Sequence, residues 1–344
     1  MAVLAMGMTL TACSVDDNPA VETDIPGEPP SGGIVANVKL TRDAGIVFLN
    51  DGDIVEGIGG QSTKLIIIAA RNNTNTTVKL LDVDLTAYYG TPVIDCYGNV
   101  NLILVGETKT RNSLITVFEG DTLTISGNGS LIADGTYPPD AAAIGSTGEH
   151  GDFPHCGHIV ITGGNITAIG GSEGGAAIGA GGNGGICDGI TITGGKVTAI
   201  SQSDGAAIGS GSGNDTSSGS YCGDITITGG KIIAKGQGNG ASIGTGKKQG
   251  GPSTCGNITI TSGVEYVACM LHDYWIGEGE GGTCGTITID GRVMKSEEFY
   301  DRDEWSEDEE TFPNLYYIED MDEDYGENWK IEVYCSLKHK EEFE

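Results

Sequence analysis

Five blocks headed by cysteine recur along the middle of the chain: CGHIVITGG from Cys156, CDGITITGG from Cys187, CGDITITGG from Cys222, CGNITITSG from Cys255 and CGTITIDG from Cys284. Each of the first four is followed by an AAIG equivalent, beginning at Ala176, Ala206, Ala241 and Tyr274, and an earlier AAIG begins at Ala142. From each Cys to the Gly closing that tetrapeptide is 23, 22, 22 and 22 residues, whereas from that Gly to the next Cys is 8, 13, 11 and 7. One arc keeps its length and one loop varies. A fixed arc repeated in series marks a unit that stacks on copies of itself.

Alternate residues of a strand share a face. Ile190 and Ile192 therefore point one way, and Thr191 and Thr193 the other. The Gly-Gly that follows suits a corner needing positive φ. Val197 and Ala199, then Ala206 and Ile208, continue the apolar side. That makes three short strands and three corners per arc. No helical period lies between them to return the chain as in a βαβ unit. Stacking each arc on the last is the remaining way to pair the strands. The sequence thus predicts an all-β chain, a single-stranded parallel β-helix with three short strands per coil, over residues 34–291. Weaker copies lie upstream, in DTLTISGNGSLIADG from Asp121 and in the stretch from Val78 to Gly106.

These motifs resemble a group of bacterial surface lipoproteins of pectate-lyase-like architecture, often labelled carbohydrate-binding domain-containing proteins. Members carry LTITGxGSLTATG followed by serial GAGIG and GxITIxGGxVTA blocks. The likeness spans about Val78 to Gly291. It implies a right-handed helix and polysaccharide binding, with calcium in some members.

The composition agrees with many strands and tight turns, for Gly makes up 58 of 344 residues and aromatics only 6%. The formal charge is −30, from 48 acids and 18 bases, which argues against a nucleic-acid partner because phosphate binding needs clustered Lys and Arg. The acids gather after the repeat: Arg292 to Glu344 holds 19 acids and 6 bases.

The N-terminal MAVLAMGMTLTAC is an apolar run ending in Leu10-Thr11-Ala12-Cys13, which resembles a bacterial lipobox, although no Lys or Arg precedes it as a secretory signal normally has. Residues 1–13 are read as a lipoprotein signal and Cys13 as the lipidated residue. Residues 14–33, rich in acid, Pro and Gly, are read as a flexible tether, and Ser14-Val15-Asp16-Asp17 resembles a surface-export tag. The expected location is the bacterial outer membrane, held to the lipid bilayer by that anchor. Residues 292–344 mix acids with aromatics and are read as a cap over the last coil, with a separate binding element as the alternative.

The five block cysteines hold one position and should stack about 4.8 Å apart. Three readings stay open: a ladder of small buried hydrophobes, disulfides between adjacent rungs, or a metal ladder. His155 and His158 flank Cys156, but no other block carries His.

No Ser/His/Asp, phosphate-loop or dinucleotide motif is present. A lyase of this architecture needs an Arg or Lys base beside acids, yet no Arg lies between Asn112 and Gly291. The leading expectation is a non-catalytic module binding a polysaccharide or host cell-surface glycan. The alternatives are a polysaccharide lyase or glycoside hydrolase and, from the Thr-x-Thr rows, an ice-binding solenoid. Candidate sugar platforms are Tyr88, Tyr89, Tyr137, Phe153, Tyr221 and Trp305. Asp82, Asp84 and Asp95 are a candidate calcium cluster, and no other cofactor is expected.

Overall fold

The computed structural model describes residues 34–69, 75–86, 92–148, 154–213, 219–270 and 274–296, with the backbone of two further strands, Leu315–Ile318 and Ile331–Cys335. The chain divides into two compact units, Met1–Val35 and Ala36–Glu344, and the strands described here belong to the second. Among the described residues there are strands, turns and bends but no α-helix.

The strands form three sheets of twelve, nine and nine. The first carries the block strands His155–Ile161, Ile186–Ile192, Ser220–Ile227 and Ile258–Ile260. The second carries the short AAIG strands Ile144–Gly145, Ile178–Gly179, Ile208–Gly209, Ile243–Gly244 and Ile276–Gly277. The third carries Ser130–Asp134, Asn165–Ile169, Lys196–Ile200, Lys231–Lys235 and Tyr266–Met270. From Thr76 to Gly277 the chain visits the first, third and second sheets in that order, again and again. Parallel strands stacked in this way are compatible with a β-helix.

Register follows the sequence alignment. Ile159, Ile190, Ile225, Ile258 and Ile287 are successive partners, as are Ile161, Ile192, Ile227, Ile260 and Ile289. On the third sheet, Ile166, Val197, Ile232 and Val267 line up the same way. Most of these apolar residues are wholly buried, so each Ile contributes roughly 2 kcal/mol of transfer free energy. Thr191 is half-buried and Thr193 exposed, as the alternation requires. The corner between first and third sheets falls at the second Gly of each pair, for example Gly195 with φ +87°.

The AAIG segment departs from the expected alternation. Ala206, Ala207 and Ile208 are all buried, and it is Ala207, not Ala206, that joins the contiguous core with Ile208. The strand there is two residues long, and the Ala206 amide donates to the Ser210 carbonyl at 3.0 Å, closing a small loop. A period of two cannot be maintained through so tight a bend. Hydroxyls pack beside this segment: Ser220 Oγ donates to the Gly181 carbonyl at 2.8 Å and accepts from the Gly211 amide at 2.9 Å.

At the C-terminal end, Arg292–Met294 folds back antiparallel on Ile287–Ile289. The turn residues Asp290 and Gly291 both have positive φ, 47° and 78°, the signature of a type I′ hairpin turn. Ile331–Cys335 pairs antiparallel with Tyr266–Met270, the last parallel strand of the third sheet, and Leu315–Ile318 pairs in turn with Ile331–Cys335.

Candidate functional site

Two neighbouring second-sheet strands, Ile94–Tyr97 and Ile115–Val117, pair with Cys96 beside Val117. One residue further on, the Phe118 amide donates to the Cys96 carbonyl at 2.9 Å. This register stacks the Tyr97 and Phe118 rings, with centroids 5.8 Å apart and planes at 27°. Both are exposed, Phe118 by 56% of its surface and Tyr97 by 37%. Tyr97 is braced from beneath, its hydroxyl donating to Asp95 Oδ2 at 2.8 Å. Burial, then that bond, pushes the phenol up to about 12. Burial also raises the Asp95 carboxyl, against the bond from Tyr97.

Beside this pair runs a carboxylate–imidazole–carboxylate bridge. Glu119 Oε2 lies 3.2 Å from His155 Nδ1, and Asp188 Oδ1 lies 3.1 Å from His155 Nε2. Asp188 Oδ2 also accepts from the Gly120 amide at 2.9 Å. Both ring nitrogens face a carboxylate, so a neutral imidazole donates to only one of them. In the first sheet, His155, Ile186 and Tyr221 are successive partners. Tyr221 is exposed by 44% and so continues the same column. From the level of Phe118 to that of Tyr221 is three strand spacings, about 14 Å. The surface is thus a rigid strip with aromatic rings at both ends and acids between them. Such a strip can stack the apolar faces of sugar rings and accept their hydroxyl hydrogens.

The predicted site residues fall as follows. Cys13, Tyr88, Tyr89, Phe153 and Trp305 lie outside the described residues. Tyr221 belongs to the strip. Tyr137 is exposed by 45% but follows a third-sheet strand, Ser130–Asp134. Asp82, Asp84 and Asp95 have three different partners. Asp82 Oδ1 accepts from the Glu107 amide at 2.9 Å, Asp84 takes two bonds from Arg111 at 3.0 and 3.2 Å, and Asp95 holds Tyr97. Among the described residues, no group of three or more His, Cys, Asp or Glu is placed to hold a metal ion.

Cys156, Cys187, Cys222 and Cys255 are successive register partners, and with Cys284 they are free thiols. Cys156 points inward, wholly buried, while His155 and His158 on either side remain partly exposed, so the three do not converge. The thiols of Cys156 and Cys222 are held well above their ordinary range by contact with the Cys187 thiol and by burial.

The sequence reading missed Tyr97, Phe118, Glu119 and the His155–Asp188 pair. The signal was there in part: IDCYGNV from Ile94 and ITVFEGD from Ile115 align residue for residue and put Tyr97 and Phe118 at one position. Comparison with known proteins adds no further pointer, for no protein-family model, no curated protein and no solved structure matches this chain.

Proposed function

We propose that this chain is a right-handed parallel β-helix with three strands per coil and a C-terminal cap, lipid-anchored through Cys13 on the bacterial outer membrane, and that it binds polysaccharide without turning it over. The observation carrying the binding function is the stacked, exposed Tyr97–Phe118 pair, seated on a rigid parallel sheet and flanked by the Glu119–His155–Asp188 bridge. Exposed rings held in register are costly to leave in water, and they offer sugars a platform that needs no ordering on binding. The order of strands through the three sheets supports the winding, and the lipobox supports the anchor.

The strip is acidic, and no Arg lies between Asn112 and Gly291. Arg111 is engaged by Asp84. A uronate polymer would meet like charge here, and none of Tyr97, Phe118, Glu119, His155, Asp188 and Tyr221 is an Arg or Lys to serve a lyase as base. Neutral or amine-bearing glycans fit the charge.

The test is a glycan array of neutral, amine-bearing and uronate oligosaccharides, read with and without calcium and followed by product analysis. Retention of a neutral or amine-bearing glycan, intact after long incubation, is the expected result. Retention of uronates alone, or release of unsaturated products, would replace this reading with the lyase.

A further inference from the structure

The thiol column is not uniform along its length. Cys156, Cys187 and Cys222 are wholly buried, and Cys255 is 6% exposed. Cys284, the last rung, is partly exposed. It also lies outside a continuous strand: the bridge Thr254–Thr283 stands alone, and the first-sheet strand resumes only at Ile287.

We propose that Cys284 and Cys255 form a redox modification site, in which Cys284 is oxidised by a hydroperoxide and then closes a disulfide to Cys255. The backbone places the two residues side by side. The Cys255 amide donates to the Thr283 carbonyl at 3.1 Å, and the Gly285 amide donates to the Cys255 carbonyl at 3.2 Å. That is the parallel pattern with Cys255 opposite Cys284, at a Cα separation of about 4.8 Å, inside the range a disulfide spans. Adjacent parallel strands leave the Cβ atoms slightly far apart for a bridge. Closing that gap takes a local shift of residues 283–285, which lie outside the continuous strands.

The two sulfurs differ in chemistry. Hydrogen bonds from Cys255 and from Ser296, whose Oγ is 3.6 Å away, hold the Cys284 thiol below its ordinary range. The Cys255 thiol is pushed well above by its contact with Cys284 and by burial. Cys284 is the partly exposed sulfur that a peroxide reaches and Cys255 lies buried behind it, so Cys284 is the attacking thiolate and Cys255 the resolving thiol. The Cys284 thiolate breaks the O–O bond of the peroxide, forming a sulfenic acid and releasing hydroxide, or alkoxide from an organic peroxide. Cys255 sulfur then attacks Cys284 sulfur, the S–S bond forms and the sulfenic oxygen leaves as water. Two thiols lose two electrons, which the peroxide takes up. The deeper rungs are shut off from the oxidant by burial, so the reaction stops at this pair.

The test uses the reduced full-length protein and peptide mapping by mass spectrometry. Under native conditions, iodoacetamide should modify Cys284 at least about tenfold faster than Cys156, Cys187 or Cys222. Hydrogen peroxide should then yield the Cys255–Cys284 crosslinked peptide. Cys284→Ser should abolish that peptide, Cys187→Ser should leave it intact, and Cys255→Ser should leave a Cys284 sulfenic acid that dimedone traps. Should Cys255→Ser fail to fold, dimedone added to the wild type during oxidation should still tag Cys284. The proposal is overturned if Cys284 resists alkylation like the deeper rungs, if it pairs with Cys13 or Cys335, or if peroxide carries it past the sulfenic acid without bridging.

Discussion

A Cβ on Gly209 would stand 1.8 Å from the carbonyl oxygen of Gly244, its register partner in the next repeat. Gly145 meets Gly179, Gly179 meets Gly209 and Gly244 meets Gly277 in the same way, at 1.7, 2.1 and 1.9 Å. The obstacle is backbone, which cannot swing aside, and φ at Gly209 is +140°. Gly209→Ala should therefore destabilise the fold by about 2–4 kcal/mol, through backbone strain and overpacking together. Urea denaturation measures it, and a loss below half a kcal/mol would mean that the repeats are not packed this closely.

The isoleucine column makes a second case. Ile190 is wholly buried between Ile159 and Ile225. Ile190→Ala should cost about 3–4 kcal/mol by transfer and cavity, whereas Thr193→Ala on the outer face should stay within about 0.5 kcal/mol. Equal effects at the two positions would contradict the assignment of inner and outer faces.

Ser220 is buried, and its hydroxyl serves both the Gly211 amide and the Gly181 carbonyl. Ser220→Ala removes that hydroxyl and should cost about 1–3 kcal/mol, with little change in volume. Thermal unfolding beside Ser203→Ala, a half-buried loop position, would separate this from a general effect of losing a serine.

Asp95 gives stability a pH dependence of definite sign. Its carboxyl is raised in the folded state, so the native protein holds that proton more tightly than the unfolded chain. The contribution favours folding at low pH and is lost as pH rises from about 4 through the folded value. Asp95→Asn keeps an acceptor for the Tyr97 hydroxyl without the buried charge. The variant should melt higher than wild type at pH 7, and the difference should vanish near pH 3. A gap that is the same at both values would rule out the charge as its cause.

For the proposed glycan surface, Phe118→Ala should weaken binding by about tenfold or more, because it removes one exposed ring and unseats the other. Phe48 is also exposed, by 68%, but on the first second-sheet strand, Gly45–Leu49. Phe48→Ala should leave affinity unchanged in the same calorimetric titration. Equal losses would point to nonspecific adsorption on exposed rings.

Much of the architecture was legible from residue order alone. The Cys156-to-Gly179 arc and its copies declare a repeat, and the Ile190–Thr193 alternation declares which side is buried. Both are local: a strand's two faces follow from its pleat, and a repeat's register from equal arc length. The AAIG segment was legible only as apolar, because a bend closed by the Ala206–Ser210 hydrogen bond overrides the alternation and exchanges Ala206 for Ala207 in the core. The Glu119–His155–Asp188 bridge was legible only in half: His155 precedes and Asp188 follows the aligned cysteines of neighbouring blocks, Cys156 and Cys187. Glu119 and Gly120 follow a second-sheet strand outside those blocks, and only the fold brings Gly120 to Asp188, 68 positions on. Likewise five cysteines at one position look alike in sequence. Packing alone seals four of them and leaves Cys284 partly open, since exposure depends on what lies beyond the last rung.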